Sequence, residues 1–138
     1  MPSLMSFSHT AEQIINRTKT VTRRLGWRML RPGQRVWAVE KAMGLRKGEK
    51  VKRLALLEIV SVTREPVGDI LARCYERPDE IAKEGFPDMG ETTFLMLFAK
   101  INNLRGAIVF DLTKNPPHFG ARWENLEITR IEFKYVDE

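Results

Sequence analysis

The sequence predicts a mixed α+β domain, and three observations lead to it. Apolar residues alternate with a period of two along several stretches, most completely over 51–67 and 126–136, which is strand patterning. Between them lie short segments with helical spacing and recognisable start and stop residues. The chain has 138 residues, 43% of them hydrophobic, which suits one packed core. A single domain over 1–138 is therefore expected, interrupted by an irregular excursion at 104–124 that carries Pro116, Pro117 and the His118-Phe119-Gly120 triplet.

The elements follow in order. Residues 3–8 form a short strand with Leu4 and Ser6 on one side and Met5 and Phe7 on the other. Thr10 with Gln13 three residues on has capping-box spacing, and opens a short helix whose core face is Ala11, Ile14 and Ile15. That helix ends near Arg17, where KTVTRR turns β-branched and extended. Pro32 and Gly33 mark a turn before a strand over 34–42, in which Val36 and Ala38 alternate with Trp37 and Val39. A polar loop, GLRKGEK, leads to the long strand 51–67. There Leu54, Leu56, Val60 and Val62 oppose Ala55, Leu57 and Ile59, so both faces are expected to be covered. Residues 68–74 read as a turn or two of helix, and PDEIAKEG as a short helix from Asp79 that stops at Gly85. Phe94, Leu97, Phe98 and Ile101 then form the core face of an amphipathic helix. The last strand alternates Ile131, Phe133 and Tyr135 with Arg130, Glu132 and Lys134.

Composition narrows the chemistry. Cys74 is the only cysteine, so neither an intramolecular disulfide nor a cysteine-based zinc site is expected, and Cys74 reads as a small helix residue. His9 and His118 have no metal-binding spacing. Glu40, Asp88 and Glu91 are candidates to join Glu84 around a divalent cation, but nothing in their spacing calls for one. Neither metal nor cofactor is expected. No apolar run approaches the roughly 18 residues of a membrane span, and the N-terminus lacks the order of a secretory signal, so the expected location is cytoplasmic, away from membranes.

The net charge of +5 is unevenly spread. Residues 1–53 hold thirteen basic against three acidic side chains, whereas 54–138 hold ten against fifteen. Such asymmetry points to a polyanionic partner on one side of the molecule.

The run Arg17 to Arg24, RTKTVTRR, resembles the ASCH family motif Gly-x-Lys-x-x-Thr-x-Arg at Lys19, Thr22 and Arg24, with Arg17 where the motif has glycine. The turn and strand PGQRVWAVE, the strand LALLEIVSV, the triplet Glu84-Gly85-Phe86 and the segment ITRIEF follow in the order that ASCH domains show. The resemblance implies a PUA-like β-barrel of about five or six strands with short helices packed at one side. It further implies a cleft between the motif strand and the helix carrying the acidic residue. Members of the family look like RNA-binding or nucleotide-binding modules, and some resemble ribonucleases. One small bacterial branch resembles amidohydrolases that remove the acetyl group from N4-acetylcytidine. That branch's working lysine, threonine and glutamate carry over to Lys19, Thr22 and Glu84, the expected catalytic set.

The residues can be weighed on their own chemistry. Alternation puts Thr22 and Lys19 on opposite sides of an extended strand, so they share a pocket only if the strand begins after Lys19 or bulges between them. Arg17, Arg23, Arg24, Trp27 and Arg28 form the expected ligand or RNA contacts. Arg24 offers a planar fork to a phosphate or base edge, and Trp27 a stacking surface or a plug for the barrel. A Lys19–Glu84 salt bridge would tie strand to helix and would stabilise the charged lysine, weakening it as a base. Three function classes remain: a reader of RNA or a nucleoside, a hydrolase acting on N4-acylated cytosine or RNA, and a protein-interaction adaptor built on 104–124.

Overall fold

The computed structural model describes residues 2–67, 69, 79–104, 108–111, 114–119, 123 and 125–137. Five strands make one sheet: β1 (Ser3–Ser6), β2 (Val21–Arg24), β3 (Arg35–Val39), β4 (Arg53–Pro66) and the last, β7 (Glu127–Val136). Their order across the sheet is β1-β3-β4-β7-β2, with β1 parallel to β3 and the other pairs antiparallel. The sheet curls into a half-barrel, leaving β1 and β2 as its two edges. The helices α1 (Ala11–Ile15), α2 (Glu80–Lys83) and α3 (Glu91–Ile101) are short, as expected. The fold is α+β of the PUA-like barrel type.

Two apolar clusters use the two faces of the sheet. Met5, Phe7, Ile14, Val36, Leu57, Ile59, Ile131 and Phe133 fill the concave side. Val67, Ile81, Phe94, Leu95, Phe98 and Ile128 join α2 and α3 to the other side. Alternation along β1, β3 and β4 is thus read correctly in its main lines. Two irregularities modify it. A register shift between Ala38 and Val39 lets both be buried, where alternation set them on opposite faces, and Trp37 is left half-buried under the Arg53 guanidinium, 4.5 Å from its ring centroid. A second shift between Ile59 and Ser61 turns Val60 outward to 45% exposure, so β4 is not covered on both faces there.

Other expectations need correcting. Thr10 stands at the N-cap of α1 but its side chain makes no capping bond, with φ −135° and ψ 27°; Ile15 is exposed and only Ile14 of this helix is buried. In α3 the buried stripe is Phe94, Leu95, Phe98 and Ala99, one position round from the expected face. Leu97 and Ile101 border the cavity described below. Arg130, expected to face water, is buried because α2 covers its face of β7.

The segment 104–124 is more regular than its sequence suggests. Strands β5 (Ile108–Asp111) and β6 (Lys114–Phe119) pair antiparallel as a separate two-stranded sheet. Prolines disguise it: Pro116 and Pro117 lack N–H donors, and they sit in a ribbon that among the described residues has two strands and whose register shifts between Val109 and Asp111. Residues 70–78, with Cys74 and most of the expected 68–74 helix, and the His118 side chain lie outside what the structure describes.

Candidate functional site

The open seam of the half-barrel holds a cavity of about 340 Å³. One wall is the segment after β1, from Ser6 to Thr10; the opposite wall is β2 with Lys19 before it; the third side is Glu84, Phe86 and α3. Strand β2 begins at Val21. Lys19 therefore lies outside the alternation of the strand, and both Lys19 and Thr22 border the same cavity, 3% and 4% exposed. This meets the geometric condition that the sequence imposes.

Local structure explains how Lys19 reaches Glu84. The chain turns sharply after α1, with Arg17 at φ 60° and the amides of Thr18 and Lys19 both bonded to the Gln13 carbonyl. The Thr20 amide donates to the Lys83 carbonyl (2.7 Å), stitching the motif segment to the end of α2. Tyr135 donates its hydroxyl to the Lys19 carbonyl (2.6 Å). Gly85 follows at φ 102°, where a Cβ would stand 2.9 Å from Gln13 Cγ and 3.4 Å from Lys19 Cβ. Only glycine lets these segments approach so closely.

Glu84 is the C-cap of α2 and 4% exposed. Lys19 Nζ donates to its main-chain oxygen (2.7 Å) and to Oε2 (3.0 Å), so the expected salt bridge exists. Its other carboxylate oxygen, Oε1, accepts from Arg23 Nη1 at 2.9 Å. Arg23 also donates through Nε to Glu65 (2.9 Å) and through Nη2 to Glu80 (2.6 Å). Arg23, expected as a ligand contact, borders the cavity, and its guanidinium is also committed to three carboxylates. Burial pulls the Lys19 ammonium below the usual lysine value against the pull of Glu84, and Arg24 and Arg23 add to the fall. For Arg23 burial works downward too, but Glu84, Glu65 and Glu80 together raise it above the usual arginine value.

Arg24 closes the seam between the sheet edges. It donates through Nη2 to the Ser6 carbonyl and through Nε to Thr22 Oγ1 (3.3 Å), and its guanidinium lies 4.6 Å from the Phe7 ring centroid. Burial lowers it to about 10, which leaves it protonated at neutral pH. Because Thr22 Oγ1 accepts from Arg24, its own hydrogen is free to be donated. Trp27, at φ 56°, borders the cavity and packs against the core cluster of Met5, Phe7 and Ile14. His9 is a cavity residue that sequence spacing could not find, since the seam alone brings it opposite β2.

Two expected contacts fall elsewhere. Arg17 pairs with Asp137 (2.9 Å) and lies over the Tyr135 ring, bordering a different groove with Leu54 and Val136. Arginine at the motif's glycine position therefore does not narrow the cavity. Arg28 is exposed and does not border the cavity. Nor do Glu40, Asp88 or Glu91, the carboxylates considered beside Glu84 as metal ligands.

No sequence-family model matches the chain, and none of the curated proteins matches it. Solved structures do. The chain is similar to a crystal structure of an Enterococcus faecalis protein described by the family model DUF984, at TM-score 0.62 and 15% identity, covering 99% of this chain and 77% of that one. It is also similar to an ASCH domain from Lactobacillus crispatus, at TM-score 0.50 and 18% identity, covering 96% and 78%.

Proposed function

From the premise of an ASCH-like fold, we propose that the seam cavity binds the base of a nucleoside or of an RNA nucleotide. The observation that carries this is its two-sided lining. Lys19, Thr22 and Arg24 supply hydrogen-bond donors at one side; Phe86, Phe94 and Phe98 supply an aromatic wall on the other, and Trp27 also borders the cavity. A planar ring with carbonyl acceptors on its edge fits such a lining, stacking on the aromatics and accepting from the cations. A volume of about 340 Å³ is at the small end for ligand sites, which favours one base over a folded RNA element. Ten of the thirteen basic side chains in 1–53 are exposed, all but Lys19, Arg23 and Arg24, giving a surface suited to phosphates.

A second reading, hydrolysis of an N4-acylated cytosine, is favoured by one specific arrangement: Lys19, Thr22 and Glu84 border the same cavity. Burial makes Lys19 a stronger candidate base than a free lysine, since it favours the neutral amine. Against it, both contacts to Glu84 stabilise the ammonium.

Purified protein incubated with N4-acetylcytidine and with mixed-sequence RNA, alongside Thr22→Ala and Glu84→Gln, separates the two. The binding reading expects intact substrates and an RNA affinity that falls with salt and with Thr22→Ala. Deacetylated cytidine that disappears in both variants would establish the hydrolase instead. No binding at low salt, with no product, would overturn both.

A further inference from the structure

From the cavity wall inward runs a continuous buried cluster of three cations, Lys19, Arg23 and Arg130, and three carboxylates, Glu65, Glu80 and Glu84, none more than 7% exposed; Lys19, Arg23 and Glu84 border the cavity. Its members bond to one another in sequence, so the position of each depends on its neighbour. We infer that Arg23 is the positioning residue of this site: anchored by Glu65 and Glu80, it holds Glu84 by one carboxylate oxygen so that the other, with the Glu84 carbonyl, fixes the Lys19 ammonium at the cavity wall.

The geometry supports this on three counts. Arg23 directs Nε, Nη1 and Nη2 each to a different carboxylate at 2.9, 2.9 and 2.6 Å, using the planar fork in a way lysine could not reproduce. Glu80 is fixed in turn by Arg130, so the anchor does not depend on a side chain that is free to swing. Glu84, with three rotatable torsions, is held at both oxygens and at its carbonyl. Arg23 also divides the charge of Glu84 between two cations. Lys19 thereby faces a partly neutralised carboxylate, with Arg24 as a further cation and His9 on the same cavity.

A merely structural arginine would not set the titration of Lys19, so that is what to measure, and no ligand is needed. The inference leans on the base-binding reading only for its consequence to a ligand. In isotopically labelled full-length protein, the Lys19 side-chain resonance is followed through pH by NMR. The variant Arg23→Gln with Glu65→Gln removes one charge of each sign, leaving Glu80 paired with Arg130. Glu84 then loses its anchor and with it the hold on the ammonium, so the Lys19 midpoint falls; a rise would mean that Arg23 acts on Lys19 by its charge alone and would overturn the inference. Should that variant fail to fold, Glu65→Gln alone removes a carboxylate from Arg23, leaves its charge less compensated and moves the Lys19 midpoint down. A midpoint that stays at the wild-type value in a folded variant overturns the inference. Failure of N4-acetylcytidine or RNA to bind would leave these midpoints unchanged and would count against the base-binding reading only.

Discussion

Arg17 adopts φ 60°, a conformation costing an L-residue about 1 kcal/mol that glycine enters freely. The resemblance to a motif with glycine at this position thus has a backbone cause, and Arg17 repays part of the strain by its contacts to Asp137 and Tyr135. Both contacts are exposed and worth little. Arg17→Gly is accordingly expected to leave stability within about 1 kcal/mol of wild type by urea unfolding, and to leave N4-acetylcytidine and RNA binding unchanged. A large loss of binding would place Arg17 at the ligand after all. Gly85→Ala is the opposite case, because φ 102° and a Cβ 2.9 Å from Gln13 combine. A loss of roughly 1–3 kcal/mol is expected in the same assay. Lys19, Thr22 and Glu84 were legible from the resemblance, and Gly85 as a helix stop. The three carboxylate contacts of Arg23 were not. Like its neighbours Thr22 and Arg24, Arg23 borders the cavity, and nothing local says that Glu65 and Glu80 converge on it.

Strands β2 and β7 explain why that convergence exists. Their register sets Arg23 directly opposite Arg130, a like-charge pair that destabilises a sheet. Glu80 Oε1 accepts from both guanidiniums and so removes the conflict. Glu80→Gln, close in shape but uncharged, removes the carboxylate charge that Arg130 and Arg23 share and leaves Arg23 with Glu65 and Glu84; urea unfolding is expected to show a loss of about 3 kcal/mol. A loss under 1 kcal/mol would mean that the remaining carboxylates suffice. Elements with a sustained pattern were legible: β4 and β7 from alternation, α2 from its Asp79 start and Gly85 stop. The bulges in β3 and β4 were not, because they depend on which strand pairs with which. The face of α3 was missed by one position because Leu97 and Ile101, apolar like core residues, border the cavity instead. The β5–β6 ribbon was hidden by its prolines.

For the whole molecule, the buried cluster ties stability to pH. Burial alone would raise Glu80, but hydrogen bonds and charge from Arg130 and Arg23 bring it from the usual 4.5 down to about 2. The unfolded chain therefore binds a proton at higher pH than the native one does. This contribution is fully present above pH 4.5 and is lost as pH falls toward about 2. Circular dichroism melts through that window should show wild type losing stability more steeply than Glu80→Gln, which has no such carboxylate to protonate; parallel curves would contradict it. The half-barrel is what leaves room for the cavity. A closed barrel would leave no seam, whereas here Arg24 bridges the edges and leaves a cavity beside the bridge.

The most direct test of the account is amide NMR of the labelled protein titrated at low salt with cytidine, N4-acetylcytidine and a short mixed-sequence RNA. With a base held in the seam, shifts concentrate at Thr10, Lys19, Thr22, Glu84 and the α3 face carrying Phe94 and Phe98, and RNA binding weakens with salt while the same residues respond. Shifts confined to the exposed basic loops, with the seam silent, would contradict it.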